Sequence, residues 1–286
     1  MNRKTLTIVV SAIAFVLALG VTLYPLISNS YNEKHASEIR TEYMEQIEQI
    51  DDSRIQEAKA LAQSYNDALK PISQTDESFS YDAIAEAADS YYEQLDVVGE
   101  GIMGYVDIPL IGVNLPIYHG TDSETLDIGI GHLLGSSLPV GGGSSHCVLT
   151  AHSGVATQKL FSDLDKLSTG DVFYLHVLDE TLEYQVVDIY TVLPHETDQL
   201  GIVSERDYCT LVTCTPFGVN THRLLVRGER IPYEKAEEII EEQEIIEEVE
   251  STWEEQYIKG IVIGLILIFF LALIVGYITH RQNQGE

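Results

Sequence analysis

The chain has 286 residues, with 45 Asp and Glu against 16 Lys and Arg and a formal net charge of −29. That length holds one domain of ordinary size plus spanning and linker segments. So large an anionic excess excludes nucleic acid as a partner, because phosphate binding needs clustered cations. The three cysteines, Cys147, Cys209 and Cys214, are too few for a disulfide scaffold, and an odd count leaves at least one thiol free. No C-x-x-C pair offers a zinc knuckle or a thioredoxin-like motif, and the pattern calls for no metal or cofactor.

In chain order, Arg3 and Lys4 precede an apolar run over residues 5–27, close to the ~20 residues a helix needs to cross the hydrocarbon core. Residues 1–30 are read as a retained membrane helix. A cleaved signal peptide is the competing reading, against which the run is long and Ser28-Asn29-Ser30 is a poor small-x-small cleavage site. Residues 31–100 form a helical extension. Its first helix carries the sparse stripe Tyr31, Ile39, Tyr43, Ile47, Ile50, Leu61, Tyr65 and Leu69, and Pro71 is expected to end it. A polar loop to Ser80 and a short helix over 81–95 follow.

Residues 101–233 change texture to short β-rich runs broken by Gly, Pro and Asn. The predicted strands are 101–108, 113–118, 146–151, 171–178, 182–193, 207–213 and 221–231. A helical turn or two is expected over 157–167, where Leu160, Phe161, Leu164 and Leu167 share a face. Many short strands with little helix argue a mainly β domain, a barrel or a sandwich. Residues 234–256 read as an acidic helical stalk, and 257–279 as a second membrane helix with its apolar run over 258–278. The tail 280–286 carries Arg281. Basic residues favour the cytoplasmic side, so both termini are placed inside and the middle of the chain outside.

The chemistry gathers at the last predicted strand pair. Residues 208–216 read YCTLVTCTP, a strand running into a Pro/Gly turn, and the chain returns through Asn220-Thr221-His222-Arg223-Leu224-Leu225. A nucleophilic thiol needs a group that lowers its pKa or takes its proton, and a developing oxyanion needs a fixed cation or donor. Cys214 and Arg223 supply two of these parts in one hairpin. The histidine has to come from elsewhere, and His152 fits best because it ends the apolar strand Cys147-Val148-Leu149-Thr150-Ala151. Its rivals are His119, His132, His146, His176, His195 and His222; those of Arg223 are Arg227 and Arg230. Cys209 and Cys147 are expected in the core, with a bridge between them as the alternative.

Leu211-Val212-Thr213-Cys214 with Arg223 nine residues on, and Thr150-Ala151-His152 upstream, resembles the sortase family over residues 101–231. The resemblance implies an eight-stranded β-barrel that cuts an LPXTG-type sorting signal between Thr and Gly and joins the Thr carbonyl to an amine. Cys214 would be the nucleophile, His152 the acid and base, and Arg223 the stabiliser of the substrate carbonyl or oxyanion. Two flanking membrane helices and a helical extension are most similar to class C sortases. These are membrane enzymes of Gram-positive bacteria that join pilin subunits through a lysine amine. The Asp-Pro-aromatic lid tripeptide of that class is absent, Asp76-Glu77-Ser78-Phe79 standing near its place, so an open or mobile cover is expected and no lid residue is assigned. The alternatives are a sortase using a peptidoglycan amine, a caspase-like protease, whose Q-A-C-x-G signature is missing, and a non-catalytic adhesin, which leaves the Cys–turn–Arg arrangement unexplained.

Overall fold

The structure is a computed structural model that describes residues 3–73, 90–155, 157–232, 235–236, 259–268, 270 and 275. It divides into two compact units, residues 26–249 and, separately, 1–25 with 250–286. The first apolar run lies in helix α1, Arg3–Glu48, which is long and apolar enough to cross a membrane. From the second run, the helix Lys259–Ile268 is described; it is too short by itself to span, and most of the remainder lies outside the described residues. Of the acidic stalk, only Lys235 and Ala236 are described.

Eight strands close a barrel in the order β1-β2-β3-β4-β7-β8-β6-β5. They are β1 Ile102–Ile108, β2 Val113–His119, β3 Ile130–His132, β4 Ser145–Thr150, β5 Val172–Val177, β6 Glu180–Val192, β7 Asp207–Thr215 and β8 His222–Ile231. Seven match predicted runs. The eighth, β3, was missed because three residues set among Gly129 and Gly131 carry no strand period. It forms by pairing parallel to β2 (Ile117 with Ile130) and antiparallel to β4 (His132 with Leu149). Barrel closure makes the inner face a continuous core of Met103, Leu149, Phe161, Phe173, Tyr184, Leu211 and Val226, with the Phe173 and Tyr184 rings stacked at 5.6 Å.

Two helix expectations are corrected. The extension is not one helix ending at Pro71: α1 stops at Glu48, and α2, Asp52–Ser73, contains Pro71 in its last turn. There a missing N–H removes one helical bond near the end and no more. The segment 157–167 has the expected buried face, Leu160, Phe161, Leu164 and Leu167, but is mostly turn, with 3-10 geometry only at Leu164–Lys166. Its backbone bonds elsewhere: Phe161 N–H donates to the His152 carbonyl at 3.0 Å, and Leu160 takes a left-handed φ of 43°. Of the helix expected over 81–95, residues 81–89 lie outside the described residues; Ser90 and Tyr91 are helical and turns follow.

Side chains of the extension dock it on the barrel. Tyr43 Oη donates to the Met103 carbonyl at 3.3 Å and accepts from Leu178 N–H at 3.0 Å. Fully buried Asn66 accepts from Leu138 N–H at 2.7 Å and donates to the Leu138 carbonyl at 3.1 Å. Asn66→Ala would leave the buried Leu138 N–H without its partner, while the Leu138 carbonyl keeps the bond from Val140 N–H at 2.8 Å, and a loss of about 1–3 kcal/mol is expected in a denaturant titration. A loss under 0.5 kcal/mol would mean that this clamp holds nothing.

His146, wholly buried, bonds the Gly201 carbonyl at 2.9 Å and Thr210 Oγ1 at 2.7 Å. Burial pushes it from 6.5 down to about 4. Its folded form therefore stays neutral where the unfolded chain already binds a proton. The stability this confers is complete above about pH 6.5 and is lost as pH falls towards 4, about 3 kcal/mol in all. Unfolding titrations between pH 7 and 4 should show a slope to which His176, likewise pushed down to about 4 by burial, also contributes, and His146→Gln should reduce it.

Candidate active site

Register, more than proximity in sequence, assembles the site. β4 and β7 run parallel, with Thr150 opposite Val212. Two residues further along each strand stand His152 and Cys214, on backbones that neighbouring strands hold ~4.8 Å apart. The pairing continues past the strand end: Ala151 N–H donates to the Val212 carbonyl at 3.2 Å, and Thr213 Oγ1 donates to the Ala151 carbonyl at 2.8 Å. Ser153 Oγ donates to the Cys214 carbonyl at 2.5 Å. His152 is thus bracketed by links to Thr213 and Cys214. On the other side β8 runs antiparallel, with Cys214 directly opposite Arg223. The order β4–β7–β8 places the backbones of His152, Cys214 and Arg223 side by side, with Cys214 in the middle.

The turn joining β7 to β8 is closed by Val219 and Asn220 N–H donating to the Pro216 carbonyl at 2.9 and 3.0 Å. Asn220 sits at φ 61°, a left-handed position that asparagine tolerates. Gly154 approaches the same turn, where an added Cβ would stand 3.1 Å from Gly218 N. The loop after His152 and the loop after Cys214 are therefore packed backbone to backbone.

Surroundings separate the three residues from most of their rivals, though burial does not set His152 apart from exposed His195 and half-buried His222. Cys214 is half-buried, while Cys147 and Cys209 are buried free thiols, paired across β4 and β7. Burial, then the bond with Cys147, push the Cys209 thiol well up, away from the reactive thiolate. The core expectation for both holds, and the bridge between them is not formed. Arg227 is tied to Asp188 and Tyr190 Oη, and Arg230 to Glu183 at 3.3 Å. Arg223 bonds only carbonyls of its own turn, His222 at 3.0 Å and Asn220 at 3.4 Å, and no carboxylate among the described residues pairs with it. Its charge remains open to a ligand. His132 is buried against Tyr91 Oη and the Ser137 carbonyl, His119 between the Gly101 and Gln94 carbonyls, and His176 is stacked on Tyr105 at 4.3 Å. The His152 side chain keeps 35% of its surface exposed, as a group that exchanges protons with a substrate must.

Sequence reasoning missed Asp127, whose Oδ1 lies 3.9 Å from His152 Nε2. It caps the short helix α3, Ser123–Leu126, whose N-cap Asp122 accepts from Thr125 N–H at 3.0 Å. The D-x-x-T spacing of Asp122 and Thr125 suits a helix start, but nothing in the sequence aims its far end at His152. The proline-free segment 76–80, considered for a lid, lies outside the described residues.

A sortase-domain family model matches residues 106–231, which spans β1 to β8 and all three site residues. The chain is 44% identical to sortase C of Streptococcus pneumoniae, with a TM-score of 0.61 over 68% of this chain and 97% of that one. It is 42% identical to sortase C of Clostridium perfringens, solved with the C-terminal cell wall sorting motif, with a TM-score of 0.58 over 69% of this chain and all of that one. Among curated proteins, sortase D of Bacillus subtilis is 30% identical over 45% of this chain, which spans 63% of that relative's length. The chain belongs to the sortase family, and its structural neighbours are class C members.

Proposed function

We propose that this protein is a membrane-anchored cysteine transpeptidase that cleaves an LPXTG-like sorting signal and transfers it to a lysine amine of a pilin subunit. One observation carries the reading: Cys214 on β7 stands opposite Arg223 of β8, with His152 two residues past the end of β4, the parallel neighbour on the other side. The Cys214 thiolate attacks the carbonyl carbon of the signal's threonine. Negative charge gathers on the carbonyl oxygen, where the Arg223 guanidinium offers donors that need no reorganisation. The C–N bond to glycine breaks, and the departing amine takes a proton from His152, leaving a thioester. The incoming lysine amine then attacks that carbonyl and gives its proton to His152. The C–S bond breaks, the thiolate returns, and the product is an amide to the lysine side chain.

The pilin acceptor is favoured over a peptidoglycan amine by the class C neighbours, whose match takes in 68–69% of this chain, more than residues 106–231 of the sortase domain alone. For anchoring, α1 crosses the membrane once and the run 258–278 crosses it again, with both termini on the cytoplasmic side and the barrel outside. The test is to incubate the full-length protein in detergent with an LPXTG-type peptide and follow its mass. An adduct on Cys214 equal to the peptide less its glycine-led portion is expected, released on adding a lysine-bearing pilin domain as an isopeptide-linked product. Absence of any adduct on Cys214 would overturn the reading. Transfer to a peptidoglycan stem peptide in preference to the pilin domain would replace the acceptor.

A further inference from the structure

A cavity of about 290 Å³ lies between α1 and the start of β2. Its walls include Glu33 and Arg40 of α1, Asn114 and Leu115 of β2, and beyond them Ile128 and Gln158. Two buried polar atoms on these walls have no partner among the described residues: Arg40 Nε, a donor, and Asn114 Oδ1, an acceptor. The rest of each side chain is committed. The Arg40 guanidinium lies over the Tyr105 ring at 6.0 Å, and the Asn114 side chain bonds Asp107. A buried donor and a buried acceptor each cost free energy until matched. A peptide group offers one of each.

The sheet is open at the same place. β2 pairs with β1 from Val113 onward, but β3 joins its other side only at Ile117. Residues 113–115, which line the cavity, therefore have no second neighbouring strand among the described residues, an edge to which an extended segment can add. Of the charged side chains on the wall, Arg40 and Lys159 are cations and Glu33 is the carboxylate. Lys159, also on the wall, is satisfied by the Ile111 carbonyl at 2.8 Å and by Asp163 at 3.3 Å. Exposed Glu33 meets only the amide of Asn29, at 2.9 Å.

The cavity also shares a wall with the reaction centre. Ile128 follows Asp127, the carboxylate beside His152, and Gln158 Nε2 donates to the Asp127 carbonyl at 2.5 Å. In the strand order β2-β3-β4-β7-β8 it lies on the His152 side of Cys214, with Arg223 on the far side. An amine attacking the thioester has to give its proton to His152, so it has to arrive from that side.

We propose that this cavity and the open β2 edge beside it form the acceptor subsite, which holds an extended, lysine-bearing peptide segment and delivers its amine past Asp127 to His152. The inference rests on the transpeptidase reading above. It separates the enzyme's two substrates: the sorting signal is bound without the cavity, and the acceptor is bound through it.

Two variants of the full-length enzyme test it. Ile128→Trp fills the mouth from a side chain that is already 56% exposed, so folding is spared; Asn114→Ala removes the unmatched acceptor. Each is assayed with an LPXTG-type peptide against two nucleophiles, hydroxylamine and a pooled library of lysine-centred decapeptides. With hydroxylamine, which needs no subsite, both variants should match the unsubstituted enzyme. With the peptide pool, KM should rise about tenfold with kcat little changed, the mark of lost ground-state binding. An unchanged KM in both variants would overturn the subsite, as would an equal loss with both nucleophiles. If the unsubstituted enzyme releases no hydroxamate at all, the transpeptidase reading itself falls and the subsite with it.

Discussion

Cys214→Ala is expected to reduce transfer below about a thousandth of the wild-type rate while leaving the barrel folded, because no other thiol can take over the attack. Cys209 is five residues back on the same strand and Cys147 lies across from it, both buried. Cys147→Ala and Cys209→Ala should therefore keep turnover near wild type and cost about 1–2 kcal/mol of stability each through small core cavities. A single-turnover assay on the three variants, with unfolding curves alongside, separates the outcomes. Wild-type turnover in the Cys214 variant, or its loss in the Cys209 variant with stability intact, would move the nucleophile.

The second large effect is at Arg223. Arg223→Lys keeps a positive charge but loses the planar fork of donors, and turnover is expected to fall by about 10²–10³-fold. Stability should hardly move, since the guanidinium bonds only carbonyls of its own turn. Arg227→Ala is the contrasting variant. That side chain is held by Asp188 and lies against the rings of Tyr190 and Tyr208 at 5.2 and 4.8 Å, so its loss should appear in unfolding and not in the chemical step. If the two variants exchanged these phenotypes, the catalytic cation would lie four residues further along β8.

Strand runs such as 171–178 and 221–231 were legible because apolar and β-forming residues concentrate in them and Gly, Pro or Asn stand at one or both ends of each run. β3 was not, because a three-residue strand has no period to display and exists only through its two neighbours. The segment after His152 shows the converse. Its apolar face was read correctly and its helix wrongly, since burial fixes which side chains point inward but not which carbonyl an N–H will find. Leu160 at positive φ and the bond from Phe161 to His152 settle that locally. Pro71 misled in a similar way: it marks where a helix weakens, yet α1 ended at Glu48 and α2 continued through it.

The sequence by itself determined the chemistry on offer: one thiol at a strand end beside a Pro/Gly turn, an arginine nine residues on in the returning strand, and a strand-ending histidine far upstream. Cys214 and Arg223 are neighbours by hairpin geometry, a local property that spacing encodes. Only the tertiary structure sets the backbone of His152 beside theirs, because the parallel pairing of β4 with β7 brings together residues 62 positions apart through a register no local pattern specifies. The same is true of Asp127 beside His152, and of the cavity where α1 meets β2. Both arise where segments distant in sequence pack together, and a contact of that kind is fixed by the closed barrel as a whole.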